Sequence, residues 1–356
     1  SPVSHNEREK GRNREMGEIL VTGGAGFIGT HTCIALLQAG YSVVILDNLC
    51  NAKQESLLHL QEITGKSIPF YHMDIRNADG LRQIFQTHHI SAVLHFAGLK
   101  AVGESVQQPL RYYQNNIGGM MTLLEELQKT DCRTLIFSSS ATVYGTQHTA
   151  PYAETVTPLS ASNPYGETKI ISEQLLQDLC QADSDWHITA LRYFNPIGAH
   201  ESGLLGEEPH GIPSNIAPYL ALVASGQLPY FRVYGNDYDT PDGTGVRDYV
   251  HVMDLAEGHV SALQYSMQHA GFSVFNLGTG SGCSVLELAN MYEAVSGKPI
   301  PLKIFPRRAG DVATSYADVS KAKTVLGWTA KRNLQQMCAD SWRFIQKQAQ
   351  KGADSK

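Results

Sequence analysis

The sequence predicts an α/β protein: a doubly wound parallel (Rossmann) sheet with a smaller C-terminal α/β substrate-binding domain. Three observations carry that expectation. Short apolar runs alternate with longer helical patterns through the first half of the chain. A glycine-rich turn, Thr22-Gly23-Gly24-Ala25-Gly26-Phe27-Ile28-Gly29, stands between the first apolar run and the first helical pattern. The length, 356 residues, exceeds an ordinary single domain. Alternation of this kind builds a parallel sheet with helices on its faces.

Residues 1–17 are polar and mixed in charge, lack the apolar centre of a secretory signal, and read as a disordered leader or a tag remnant. Ile19-Leu20-Val21 is the first strand. The helix after the glycine turn carries Cys33, Ile34, Leu36 and Leu37 and stops at Gly40, a residue suited to the left-handed end of a helix. Ser42-Val43-Val44-Ile45-Leu46-Asp47 is apolar almost throughout, as buried parallel strands are. Residues 70–74, 92–96, 134–139 and 188–193 are the third to sixth strands. From about Gly198 glycine, proline and asparagine become frequent, and residues 235–245 form a long turn-rich loop. Long loops in compact domains are usually functional. The dinucleotide-binding domain is expected over 18–197, with segments returning near 246–280. The substrate-binding domain covers mainly 198–350.

Composition excludes several classes. At 42% hydrophobic and 17% charged residues the chain can bury a large core. A formal charge of -6 gives no basic field for nucleic acid, so a nucleotide ligand would need local cations. No apolar run reaches the roughly 20 residues of a membrane span. The six cysteines form no CxxC pair and read as free thiols of a reducing cytoplasm. No metal-ligand cluster is evident.

The spacing of Gly23, Gly26 and Gly29 gives each glycine a task. The first permits a tight turn, the second lets a pyrophosphate approach the backbone, and the third lets the helix pack on the sheet. The helix N-terminus then offers N–H groups to the phosphates. Asp47, ending the second strand, can accept the adenosine ribose hydroxyls and repel a 2′-phosphate, which favours NAD over NADP. Asp74 and Ile75 end the third strand, where an adenine amino group can be held.

Asn163-Pro164-Tyr165-Gly166-Glu167-Thr168-Lys169 reads as a helix start, with Asn163 as N-cap and Pro164 in the first turn. Tyr165 and Lys169 then share a face one turn apart. A free tyrosine titrates near pH 10. A cation at about 4 Å can contribute up to roughly 4 kcal/mol at an effective dielectric of 20, enough to bring the phenol toward neutrality as a proton acceptor. Ser140 follows the fifth strand, at the sheet end where this fold places ligands, and its hydroxyl can bond the reacting oxygen.

At these residues the chain resembles the extended short-chain dehydrogenase/reductases, and within them the branch that epimerises UDP-hexoses at C4. The likeness runs from about Ile19 to about Gln346. Its specific stretches are residues 22–29, Leu46-Asp47-Asn48-Leu49-Cys50-Asn51, residues 95–105, Phe137 to Gly145, Arg192-Tyr193-Phe194-Asn195-Pro196, and Gly243-Thr244-Gly245-Val246-Arg247-Asp248-Tyr249. The resemblance implies a tightly held NAD contacted by Phe27 and Ile28, by Asn48, Leu49, Cys50, Asn51 and Ala52, by Phe96, Ala97, Gly98, Leu99 and Lys100, and by Asn115, Ser138, Tyr193 and Phe194. It implies that Tyr165 exchanges the proton of the sugar 4-hydroxyl, Lys169 lowers its pKa and holds the nicotinamide ribose, and Ser140 bonds the 4-oxygen. For the substrate it implies Arg247 and Arg308 on the diphosphate and Asp311 on the uridine ribose. Lys100, Asn195, Asn215, Arg232, Val233 and Tyr234 supply further contacts. A bulky tyrosine closes the sugar pocket in some members, and Ser315 stands there, which implies room for UDP-GlcNAc and UDP-GalNAc. Members usually dimerise through two helices per subunit, here 109–129 and 163–180. Two rivals stay in view: a nucleotide-sugar 4,6-dehydratase, which places an Asp-Glu pair where this chain has Ala141-Thr142, and a non-catalytic NAD-binding sensor, which commonly lacks the Tyr or the Lys.

Overall fold

The structure, a computed structural model, describes residues 17–208 and 211–355. The expectation of a disordered leader therefore falls outside the described residues for 1–16. In chain order the strands are β1 (Glu18–Thr22), β2 (Ser42–Asp47), β3 (Phe70–His72), β4 (Ile90–His95), β5 (Thr134–Ser140), β6 (His187–Tyr193), β7 (Asn195–Ile197), β8 (Phe231–Tyr234), β9 (Val246–Arg247), β10 (Tyr249–His251), β11 (Gly271–Leu277), β12 (Cys283–Ser284) and β13 (Leu302–Phe305).

Seven of them form one sheet in the order β11-β6-β5-β4-β1-β2-β3. Strand β1 is flanked by β2 on one side and β4 on the other, both parallel to it. The order therefore reverses at β1, and the crevice outside the carboxyl ends of such strands is where open α/β sheets bind ligands. The six strands read from sequence are present with ends shifted by a residue or two. Strand β3 stops at His72, so Asp74 lies in the following loop rather than at a strand end. The seventh, β11, mixes Ser273 and Asn276 with its apolar residues and has only its last three residues fully buried, the pattern of a sheet edge.

The chain divides into two compact units. One runs to Ser139 and includes Asn163–Leu191 and His259–Val274; the other comprises Ser140–Ser162, Arg192–Gly258 and the chain from Phe275 on. Strands β6 and β11 each begin in the first unit and end in the second. In the first unit Leu20, Val44, Val93 and Leu135 of the sheet pack against Leu81, Ile84, Met120, Leu123 and Leu176 of the covering helices. Each such side chain contributes roughly 1.5–3 kcal/mol by leaving water. In the second unit Leu220, Phe231, Val233, Leu288, Tyr292 and Trp342 form a separate core. The helices Val285–Ser296 and Leu334–Asp354 that build it each open with a capping box, Ser284 with Glu287 and Asn333 with Gln336. Among the described residues no helix is long and apolar enough to cross a membrane.

Candidate active site

The glycine turn joins β1 to the helix Phe27–Gln38. Gly23 has φ +70°, and a Cβ there would lie 2.7 Å from the Ala97 backbone nitrogen. A Cβ at Gly29 would collide with the Gly23 carbonyl. Gly26 differs, because the nearest atom to a Cβ there is the Gly23 oxygen at 3.4 Å. The protein's own packing thus needs Gly23 and Gly29, whereas Gly26 keeps open a space that a ligand can enter. Gly26 is also the N-cap, and no side chain caps this helix. Its first N–H groups have no intrahelical partner and point where a pyrophosphate would sit. These features fit a dinucleotide.

Asp47 reaches back to this turn. Its Oδ2 accepts the Ala25 N–H at 3.0 Å and its Oδ1 accepts the Leu49 N–H at 2.8 Å. Burial pushes its carboxyl upward, opposed by those two N–H groups. Leu49, with φ +59°, is the one non-glycine described residue with positive φ, and Asp47 holds it there. Asn48 accepts the Cys50 N–H at 3.1 Å, while Asn51 and Ala52 continue the bend. On the other side of β1 the loop after β4 is tied to Thr22: Phe96 N–H donates to the Thr22 carbonyl at 2.9 Å and Ala97 N–H to the Thr22 hydroxyl at 3.2 Å. Leu99 is buried and Lys100 exposed. Asp47→Ala removes the brace of the turn and the carboxylate expected at the adenosine ribose; NAD retention is expected to fall about tenfold, measured as cofactor released on gel filtration of the holoenzyme.

Asn163 caps the helix Pro164–Ala182, its side chain accepting the Gly166 N–H at 2.9 Å, with Pro164 in the first turn. Tyr165 and Lys169 lie on successive turns, the Lys169 Nζ 5.7 Å from the centre of the Tyr165 ring and 5.1 Å from that of Phe137. The ammonium donates to the Ser138 carbonyl at 2.7 Å. Burial, then the charge of Lys100, holds Lys169 down at about 7, with Glu173 opposing. Between that value and the 10.5 of a free lysine, the unfolded chain binds a proton that the folded chain lacks. The free energy of unfolding is therefore expected to rise with pH from about 7 to about 10.5. Urea unfolding of wild type and Lys169→Met across that range checks it, the variant showing a flatter rise.

The second unit holds Ser140, Tyr193, Phe194 and the residues expected on the substrate from Asn195 on. The Ser140 hydroxyl accepts the Thr142 N–H at 3.2 Å and lies 3.0 Å from the Thr142 hydroxyl, capping the 3-10 turn Ala141–Tyr144. Tyr193 and Phe194 are buried. Arg247 donates to the Val246 and Val312 carbonyls at 2.7 and 2.9 Å, which aims its guanidinium. Arg308 and Asp311 pair at 2.9 Å, and Arg308 lies over the Tyr234 ring at 4.9 Å. Arg232 lies over Phe305 at 5.4 Å, Val233 is in the core, and Asn195 opens β7 with its N–H on the Asp248 carbonyl. Asn215 donates to Glu207 at 2.5 Å. Ser315 is half-buried in an extended segment, its N–H on the Val246 carbonyl at 2.9 Å. A cavity of about 490 Å³ opens in this unit between Thr146 and His148 on one side and Asp311, Thr314 and Tyr316 on the other. Asp74, by contrast, gives both oxygens to Arg76 at 2.9 and 3.0 Å, which holds its carboxyl below the usual range.

Several residues escape the sequence reading. Asn116, next to Asn115 in the π-helical turn Tyr113–Gly118, brackets Leu99, accepting its N–H at 2.9 Å and donating to its carbonyl at 3.0 Å. It also reaches the Thr168 hydroxyl at 3.3 Å, tying the 98–100 loop to the Tyr165 helix. An asparagine doublet inside a helical run is a signal that could have found it, since π-turns gather at functional sites. Glu173, four residues past Lys169, accepts the buried Ser139 hydroxyl at 2.6 Å. Asp248, within a stretch singled out by the resemblance, accepts N–H bonds from Thr279, Gly280 and Ala317 and the Thr279 hydroxyl.

Comparison with known proteins shows the family of the chain. Residues 20–341 match the family model described as GDP-mannose 4,6 dehydratase. A UDP-glucose 4-epimerase of Neisseria gonorrhoeae is 55% identical over 327 residues, 92% of this chain and 97% of that protein. The structure of the UDP-glucose 4-epimerase of Stenotrophomonas maltophila, with bound NAD and formylated UDP-arabinopyranose, superimposes with a TM-score of 0.92 at 50% identity, over 94% of this chain and 99% of that one. The UDP-Glc/GlcNAc 4-epimerase of Campylobacter jejuni gives a TM-score of 0.80 at 34% identity, over 93% and 99%. This chain belongs to the UDP-glucose 4-epimerase family of the extended short-chain dehydrogenase/reductases.

Proposed function

We propose that this protein is an isomerase that interconverts UDP-glucose and UDP-galactose, and UDP-GlcNAc and UDP-GalNAc, by transient oxidation at C4. The observation that carries the reading is the pairing of Tyr165 with a half-buried Lys169, held on the Ser138 carbonyl, on a helix of the unit that holds the uncapped glycine turn. Bound NAD supplies the acceptor and donor for the hydrogen at C4. Gly26, the helix N-terminus behind it and Asp47 would hold its pyrophosphate and adenosine ribose, and the 96–100 loop its other half.

Tyr165 takes the proton of the 4-hydroxyl as the sugar is oxidised and gives it back when the keto sugar is reduced on its other face. Lys169, half-buried and fixed on the Ser138 carbonyl, supplies the charge that favours the phenolate. Ser140 bonds the 4-oxygen. Arg247 and Arg308 grip the diphosphate, for which guanidinium forks are shaped, and Asp311 takes the uridine ribose. Firm nucleotide contacts with few on the hexose let the keto sugar turn over without leaving.

A 4,6-dehydratase needs an acid and a base beside C5 and C6. Directly after Ser140 the chain offers Ala141 and Thr142, whose hydroxyl is engaged with Ser140. Incubation with UDP-galactose separates the readings. UDP-glucose should appear with no net NADH. A stable keto-deoxy sugar would make the protein a dehydratase, and no conversion would leave a sensor. The assembly we propose is a homodimer through 109–129 and 163–180, which the exposure of Leu110 and Met121 supports. The compartment we propose is the cytoplasm, which six free thiols suit.

A further inference from the structure

Asn276 lies near the end of β11, is fully buried, and belongs to none of the residues assigned above. Its amide joins three separate stretches of the second unit. The oxygen accepts the Tyr144 hydroxyl at 2.5 Å. The nitrogen donates to the Tyr152 carbonyl at 2.7 Å and to the Asp318 carbonyl at 3.2 Å. Each of these partners leads to a residue of the proposed chemistry.

Tyr144 ends the 3-10 turn that Ser140 caps, so the position of its ring fixes the turn and with it the serine hydroxyl. The phenol is itself clamped, accepting from Arg192 at 3.2 Å while its ring stacks on Tyr152 at 5.0 Å. Tyr152 and Asp318 lead to the other segment. Tyr152 N–H donates to the Tyr316 carbonyl at 3.0 Å and Asp318 N–H to the Tyr152 carbonyl at 2.9 Å, a short parallel bridge centred on Tyr152 and Ala317. A second bridge joins Thr314 to Val246. Ser315 sits between the two. One end of its segment hangs on the backbone beside Arg247, and the other is attached to the carbonyls that Asn276 binds.

We infer that Asn276 is a positioning residue that fixes the Ser140 turn and the Ser315 segment together, and so couples the rate of the sugar step to the choice between plain and N-acetylated hexoses. An asparagine suits the task because it presents one acceptor and two donors from a short, stiff side chain. Aspartate would keep the acceptor and turn the donor side toward two carbonyls as like charge, loosening only the Ser315 arm. Tyr144→Phe would sever only the Ser140 arm.

The inference rests on the reading that Ser140 and Ser315 act on the sugar, and the test separates the two. Holoenzymes of wild type, Tyr144→Phe, Asn276→Asp and Tyr292→Phe are assayed with UDP-galactose and UDP-GalNAc, per bound NAD. Tyr292 is the control, since its hydroxyl bonds Ser341 at 3.0 Å in the core of the same unit and touches neither arm. Tyr144→Phe should lower kcat on UDP-galactose about tenfold with KM within twofold. Asn276→Asp should lower the kcat/KM ratio of UDP-GalNAc to UDP-galactose at least threefold, because the larger sugar meets the displaced segment. Tyr292→Phe should lose thermal stability and keep both values. If Asn276→Asp does not accumulate, Asn276→Ser, which loosens both arms, should show both effects. Wild-type kcat in Tyr144→Phe, a wild-type ratio in the Asn276 variants, or the same changes in Tyr292→Phe would overturn the coupling. A wild type inert toward UDP-GalNAc would refute the Ser315 reading and the Asn276–Ser315 arm, while kcat of Tyr144→Phe on UDP-galactose would still decide the other.

Discussion

Tyr165→Phe should lower kcat on UDP-galactose by about 10²- to 10⁴-fold, the usual loss when a positioned proton-transfer group is removed. The variant keeps the ring and its place beside the Lys169 ammonium, 5.7 Å from the ring centre in the structure. The helix that carries it is set by the Asn163 cap and Pro164 and stays as it is. The glycine turn and Asp47 are untouched, so NAD should co-purify at the wild-type ratio. The loss should therefore fall on kcat, with KM for UDP-galactose little changed, because the removed proton exchange acts in the chemical step and not in nucleotide binding. The same preparation gives the absorbance of bound NAD and the rate of UDP-glucose formation. A variant within threefold of wild type would remove Tyr165 from the reaction.

Ser315→Tyr should reduce kcat/KM for UDP-GalNAc by about 10- to 200-fold, the range over which one misfitting group in a pocket discriminates. Turnover of UDP-galactose should stay within about threefold. The segment cannot easily yield to the larger side chain. Ser315 N–H is on the Val246 carbonyl at 2.9 Å, and Val246 N–H is on the Ala313 carbonyl at 2.8 Å. Two residues further on, Ala317 bridges Tyr152. A tyrosine at 315 must therefore place its ring by side-chain rotation, and the N-acetyl group competes for that space. Competition assays with both sugars in one tube give the ratio directly. Full retention of UDP-GalNAc turnover would show that position 315 does not gate the pocket.

Much of this protein is legible in single stretches of sequence. The apolar run 42–47 becomes β2 residue for residue, and Asn163-Pro164 opens its helix as N-cap and first-turn proline. The glycine turn, Asp47 at the end of the second strand, and the one-turn spacing of Tyr165 and Lys169 follow from backbone preferences that act over a few residues. Residue identity and spacing determine such features, because steric limits on φ and ψ and the helical period are local.

The tertiary structure decided what the local rules do not contain. Nothing in the sequence singles out Asn276, whose strand is seen only in the structure, and its partner Tyr144 is 132 residues away. Asp248 draws its four hydrogen bonds from Thr279, Gly280 and Ala317. Arg308 and Asp311 face each other, and Asp74 is committed to Arg76 rather than left open. The acidity of Lys169 follows from burial by the strands and loops around it, with Glu173 and Lys100 adjusting it. Hydrogen-bond partnership and desolvation depend on which distant segments are brought together. The chain thus announces the glycine turn and the one-turn spacing of Tyr165 and Lys169 by itself, and only folding sets the surroundings of the lysine and the linkage between the Ser140 turn and the Ser315 segment.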